Sequence, residues 1–250
     1  MISIDKNFDK YQKRSPDYHY RQINRRSLRD YNAFVEARYR KTVELVDTLA
    51  KKPDGEVVKI LDIGCGDGVL IFLMTKHFGD KVKLYGVDPV PQAINEARQK
   101  NLKAQLDVGT AYQLPYPNNC FDMVISTDVI EHLENPQKML GEVKRVSKSN
   151  ASIVIGTPIR TTQKPLDPNH FQEFFPEDLL ELIRNYFNDV SLHESHNLIP
   201  TLLYNAPTKS FLNFKYLINL LSLVFGYNPF QAERSNKAQM FTYMYITCRK

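Results

Sequence analysis

The chain has 250 residues, enough for one α/β domain of ordinary size with some added elements. Hydrophobic residues make up 42% and charged residues 24%, which excludes a disordered chain and fits a globular protein. The net charge of +5 is uneven: residues 1–52 hold 13 Lys and Arg against 7 Asp and Glu, and residues 53–250 hold 20 against 21.

No apolar run is long and clean enough to span a bilayer, which needs about 20 residues, and the first residues lack the apolar core of a signal peptide. Cys65, Cys120 and Cys248 are far apart and form no CxxC pair, as expected of free thiols in a reducing compartment. These features point to the cytoplasm and against a structural zinc site.

Residues 1–30 are polar and rich in Tyr and Arg. A helical pattern follows over residues 30–50, with Tyr31, Phe34, Val35, Tyr39, Val43 and Val46 on one face. Lys51-Lys52-Pro53-Asp54-Gly55 ends it. Residues 1–52 are therefore expected to form a basic helical lid ahead of a domain spanning 53–250.

Strands and helices then alternate. Strands are expected at 57–63, 82–87, 102–107, 121–126, 152–157, 190–194 and 240–247, and helices at 69–78, 91–100, 136–147 and 176–187. Such alternation predicts an α/β fold: a Rossmann-like, seven-stranded, mostly parallel sheet with helices on both faces. Right-handed crossovers place the strand carboxyl ends along one edge, where ligands bind.

Leu61-Asp62-Ile63-Gly64-Cys65-Gly66-Asp67-Gly68 lies where the first strand meets a helix. Its glycines permit positive φ and close backbone approach to a ligand. A P-loop would continue with Gly-Lys-Ser/Thr, but Val69-Leu70-Ile71 follows here. The dinucleotide fingerprint needs a third Gly where Val69 stands. Asp62 would repel a pyrophosphate, whereas it suits the sulfonium and ammonium groups of S-adenosylmethionine. Asp88, 22 residues beyond Gly66, ends the second strand where a carboxylate can bind ribose hydroxyls. Asp67 reads as a solvent-facing carboxylate at the helix start.

Together with Leu114-Pro115-Tyr116 and the run from Phe121 to Leu133, these motifs resemble the class I S-adenosylmethionine-dependent methyltransferases over residues 57–157. The likeness is to the small-molecule branch related to ubiquinone and menaquinone methylases and sugar methyltransferases. It implies that Asp62, Gly64, Cys65 and Gly66 face the methionine part of the cofactor, with Gly66 and Gly68 allowing close approach. It further implies that Asp88 takes the ribose hydroxyls, that Pro89 packs near the adenine, and that Thr110 and Ala111 flank the adenine edge. Relatives often carry Asp where Thr110 stands, so that contact is weaker here. Thr127, Asp128 and Val129 are expected to line the cofactor from below. The product would be S-adenosylhomocysteine, and no metal is expected.

Methyl transfer from a sulfonium draws on positioning and a dry site, and needs a base only for a nucleophile that holds a proton. His132, after the fourth strand, is one candidate. His170 and Glu173, in the turn-rich segment 165–175, are the others, with a structural loop as the competing reading.

Substrate choice falls to the flanks. Tyr11, Tyr18, Tyr20 and Arg21 are candidates for a lid over the cofactor. In the insert of about 199–230, residues 211–227 form an apolar helix with a narrow polar stripe of Lys215, Asn219, Ser222 and Gly226. Such a helix suits packing on its own domain, peripheral membrane contact, a dimer contact, or a cap on an apolar pocket. The expected acceptor is a hydroxyl or amine of a small molecule, including a sugar-bearing or lipid-linked one. A non-catalytic cofactor-binding partner protein and a nucleic-acid methyltransferase are the alternatives; Ser126-Thr127-Asp128-Val129 stands where base-modifying enzymes carry Asn/Asp-Pro-Pro-aromatic, which makes nucleic acid the unlikely partner. Monomer and homodimer both remain open.

Overall fold

The apolar segment Val58–Ile63 forms the central strand β1. The computed structural model describes residues 15, 17–50, 56–162, 165, 167–206, 213–231 and 240–250. The remaining strands are β2 (Val82–Asp88), β3 (Ala104–Val108), β4 (Phe121–Thr127), β5 (Ser147–Pro158), β6 (Asn188–Asn197) and β7 (Phe241–Arg249). They pair in the order β3-β2-β1-β4-β5-β7-β6. Neighbours are parallel from β3 to β5, and β7 runs antiparallel to both β5 and β6. The expected seven-stranded, mostly parallel sheet is present.

The helices are α1 (Tyr18–Gln22), α2 (Ala33–Leu49), α3 (Val69–Phe78), α4 (Pro91–Gln99), α5 (Pro136–Val146), α6 (Pro176–Arg184), α7 (Leu198–Asn205) and α8 (Phe214–Phe225). Local chemistry starts several of them. Asn32 accepts the Val35 N–H and Asn135 accepts the Lys138 N–H, capping α2 and α5. Proline opens α4, α5 and α6, where its missing N–H costs nothing.

The two-residue alternation of the strands sends apolar side chains to both faces. Leu61, Val124 and Ile155 join α5 and α6 through Met139, Leu140, Val143, Leu179 and Ile183. Ile60, Ile125 and Val154 join α2, α3 and α4 through Leu45, Val46, Leu70, Ile71 and Ile94. Burying each such side chain contributes about 2 kcal/mol.

Three differences from the sequence reading follow from tertiary contacts. Helix α2, read as part of a separate lid, packs into the domain core through Leu45 and Val46. Strand β5 begins at Ser147, five residues earlier than the apolar run suggests, because its first residues pair with β4 and with the chain end. Helix α7 interrupts the expected insert, nucleated where the Asn197 side chain accepts the Ile199 N–H.

Candidate cofactor and acceptor site

The carboxyl edge of the sheet is assembled around β1, β2 and β4. After β1 the backbone N–H groups of Gly64 and Cys65 both donate to the Val87 carbonyl, at 2.8 and 3.1 Å, which folds the loop against β2. Gly64, Gly66 and Gly68 have φ of +77°, +53° and +79°. At Gly64 a Cβ would meet Val129 Cγ2 at 2.3 Å, so the bare backbone accommodates the turn after β4.

Asp88 ends β2. Its Oδ2 accepts the Gly66 N–H and its Oδ1 accepts the Val90 N–H, each at 2.9 Å. These bonds lock the carboxylate between the glycine loop and the start of α4, while Pro89 is half-buried beside it. Asp62 is 2% exposed, and burial, then the nearby Asp88 charge, hold its acid well above the usual carboxylate range. Two buried carboxylates at the carboxyl ends of neighbouring strands suit a cationic ligand. Among the described residues, buried Asp67 Oδ1, Ser126 Oγ and Arg38 Nε have no hydrogen-bond partner, and all three belong to this edge. That donor and acceptor set fits a polar, positively charged nucleoside such as S-adenosylmethionine.

Other expected contacts are distributed differently. Cys65 is buried, with its Sγ turned toward Gly86, where a Cβ would meet it at 2.8 Å. Its side chain is therefore core, and only its backbone faces the loop. Gly68 begins α3, and a Cβ there would meet Leu102 at 2.8 Å and Ala97 at 3.0 Å. Helix packing accounts for that glycine. Thr110 pairs as an isolated bridge with Gln113, and Ala111 is buried beside it.

Asp67 is a correction: it is 0% exposed rather than solvent-facing. Its Oδ2 accepts the Tyr20 N–H at 2.8 Å, which brings α1 onto the glycine loop. The Tyr20 ring packs edge-on against Phe72, and Lys100 Nζ lies 5.0 Å from its centroid. The Tyr20 backbone thus reaches the loop, while its ring lies on α3. Arg21 instead pairs with Asp30 on the surface at 2.8 Å. Tyr18 flanks His19 in α1, and Tyr11 lies outside the described residues.

The turn after β4 holds the remaining candidates. Asp128 adopts a left-handed φ of +57° and accepts from Arg38 Nη1 at 2.6 Å and from the Tyr243 hydroxyl at 3.1 Å. The Arg38 guanidinium lies over the Phe34 and Tyr243 rings, at 5.3 and 5.1 Å. Asp128 thus anchors α2 and β7, a role the sequence did not reveal. Thr127 and Val129 flank it, and the Thr127 methyl lies against Gly156.

Residues 130–132 form a single 3-10 turn. Glu131 is 1% exposed and accepts the Thr157 hydroxyl at 2.9 Å. Burial, then the Asp128 carboxylate, push its acid up to about 8. The His132 and His170 rings meet edge-on, with centroids 4.9 Å apart. Glu173 Oε1 lies 2.7 Å from His170 Nδ1, so the three candidate catalytic residues form one cluster with Glu131. Glu131, next to His132 in the same turn, was not among the sequence candidates.

The insert helix α8 packs on its own domain through its polar side. Its polar stripe faces inward: Asn219 and Ser222 are each 1% exposed, while Leu217, Leu220, Val224 and Phe225 face outward. Asn219 Oδ1 accepts from the Ala33 N–H and the Tyr204 hydroxyl, at 3.0 and 2.8 Å, and its Nδ2 donates to the Tyr31 carbonyl at 2.7 Å. Lys215 lies over the Tyr204 ring, and Gly226 closes the helix in a left-handed conformation. No helix among the described residues is long and apolar enough to cross a membrane.

A family model described as a methyltransferase domain matches residues 54–206. The chain belongs to this methyltransferase family. Its fold and motifs are those of the class I S-adenosylmethionine-dependent enzymes. It is 32% identical over 126 residues to ajmaline N-methyltransferase of Rauvolfia serpentina, covering 49% of this chain and 42% of that protein. It is 31% identical over 143 residues to sarcosine/dimethylglycine N-methyltransferase of Aphanothece halophytica, covering 54% of this chain and 51% of that protein. The matches thus span about half the length of these relatives. A solved structure from Thermotoga maritima, described as an S-adenosylmethionine-dependent methyltransferase and possible histamine N-methyltransferase, superposes with a TM-score of 0.58 at 18% identity. It covers 96% of this chain and 97% of that one.

Proposed function

We propose that the chain transfers a methyl group from S-adenosylmethionine to a small molecule, with an amine nitrogen as the favoured acceptor and a hydroxyl as the second. The observation that carries the methyl-donor part is the Asp88 carboxylate, fixed at both oxygens by Gly66 and Val90 beside the buried Asp62. The amine preference rests on the N-methyltransferases among its relatives.

Bound S-adenosylmethionine supplies an activated methyl group on a sulfonium. Asp88 would accept from ribose hydroxyls, and Asp62, whose acid is held well above the usual range, would be drawn to its anionic form by a cationic ligand. The Gly64–Gly68 backbone would give close approach, and α1, tied to the loop by the Tyr20 N–H on Asp67, would shield it from water. With the cofactor bound, its methyl group would pass to the lone pair of a free amine with the carbon–sulfur bond as the bond broken, and water could take the amine's proton. No protein base is required for that step. A sugar-bearing or lipid-linked acceptor would be recognised where α7 and α8 turn apolar side chains outward.

The test is incubation of purified protein with S-adenosylmethionine and a panel of small amines and alcohols. The expected result is S-adenosylhomocysteine together with one acceptor gaining the mass of a CH2 group. A panel of extracted metabolites that yields neither, under conditions where the cofactor binds, overturns the catalytic reading.

A further inference from the structure

We propose that Glu131, His132 and His170 form a binding site for a divalent first-row transition-metal ion. The turn after β4 supplies the first two residues, and the segment between β5 and α6 supplies the third. One candidate ligand atom from each lies within 4.8 Å of the others. An ion holding three such donors at about 2 Å would draw them to within about 4 Å of one another, a small closing of side chains already this near.

The tautomers point the same way. His132 Nδ1 lies 3.1 Å from the Asn169 carbonyl oxygen, which can only accept. That nitrogen therefore carries the proton, and Nε2 carries the lone pair. His170 Nδ1 faces Glu173 Oε1 at 2.7 Å, a carboxylate that favours the same tautomer. Metal-bound histidines are commonly held in this way, the far nitrogen donating to a carbonyl or carboxylate. The third ligand is held as firmly, because Glu131 Oε2 accepts the Thr157 hydroxyl.

The surrounding charge favours a cation. Asp167 Oδ2 lies 3.9 Å from His170 Nε2, and its Oδ1 accepts from Asn169, which orients the carboxylate. The segment is docked independently of any ion, since the Phe171 and Gln172 N–H groups both donate to the Glu131 carbonyl, at 2.9 and 3.3 Å. The three side chains are thus brought together by backbone bonds, as a prearranged ligand set requires. Two imidazoles and one carboxylate match zinc, iron or manganese better than magnesium, which prefers oxygen alone. With three protein ligands, such an ion keeps open positions for water or a substrate heteroatom. An imidazole that holds the ion through Nε2 cannot also act as a base, so this assignment replaces the base role for His132 and His170.

The inference stands on this cluster and does not depend on the methyl-transfer reading. The test is calorimetric titration of chelator-treated protein with Zn²⁺, Mn²⁺ and Mg²⁺, alongside Co²⁺ absorption spectra. One Zn²⁺ or Mn²⁺ per chain is expected, with visible Co²⁺ bands from nitrogen ligands. His170→Ala and Glu131→Gln should weaken binding about 100-fold, and Glu173→Ala about tenfold through the loosened His170 ring. Circular dichroism and S-adenosylhomocysteine binding show whether each variant is folded. Absence of stoichiometric Zn²⁺ and Mn²⁺ binding to the wild-type protein overturns the proposal. So does binding that folded His170→Ala and Glu173→Ala leave unchanged.

Discussion

Arg38 on α2 donates to Asp128 at 2.6 Å, joining a helix that precedes the sheet to the turn that follows its central parallel pair. The pair is partly buried, with side-chain exposures of 21% and 31%. Arg38 is held protonated: burial works against the charge, and Asp128 more than restores it. Arg38→Met keeps the packing between Phe34 and Tyr243 but takes from the Asp128 carboxylate its charged partner, leaving the Tyr243 hydroxyl. We expect a loss of about 2–3 kcal/mol in urea unfolding. The double variant Arg38→Met/Asp128→Asn should recover part of it.

Asn219 makes three hydrogen bonds inside α8's buried contact with α2. Asn219→Leu adds apolar surface, yet leaves the Tyr204 hydroxyl and the Tyr31 carbonyl without those partners. We expect destabilisation of about 2–4 kcal/mol by denaturant titration. Leu220→Gln, on the outward face, should change stability by no more than about 0.5 kcal/mol.

Asp67 makes stability depend on pH. Burial raises its acid from 3.8 to about 6, while the Tyr20 N–H and Lys100 act in the opposite direction. Between those values the folded protein keeps a proton that the unfolded chain has released. The contribution is therefore fully present below about pH 4 and is lost as pH rises to about 6. Its size is about 3 kcal/mol at most. Asp67→Asn should remove this part of the slope, and its stability relative to wild type should grow across that window in urea titrations.

Gly64→Ala tests the loop. The new methyl group would meet Val129 at 2.3 Å in a backbone of φ +77°. The left-handed backbone alone costs about 1–2 kcal/mol. Thermal unfolding should fall by several degrees, and Val129→Ala should relieve part of the loss.

Strands β1, β2 and β4 were legible because each is short, largely apolar and followed by a helix signal, and because β1 runs directly into three spaced glycines. What was not legible depends on partners distant in sequence. Asp67 is buried by the backbone of Tyr20, 47 residues earlier, so no local pattern marks it as interior. The stripe on α8 points inward because Tyr31, Ala33 and Tyr204 offer polar groups there, and periodicity alone assigns the apolar face to the core. Cys65 was read with the loop, but its side chain fills the space that Gly86 leaves. The His132–His170 contact closes across 38 residues, so composition showed the histidines without showing that they meet.

The most direct test of the cofactor assignment is calorimetric titration of S-adenosylhomocysteine into the wild-type protein and Asp88→Ala. The account predicts one molecule bound per chain, with affinity falling by about 10- to 100-fold in the variant as charged hydrogen bonds to the ribose are lost. No binding by wild-type protein, or equal affinity in a folded Asp88→Ala, would contradict it.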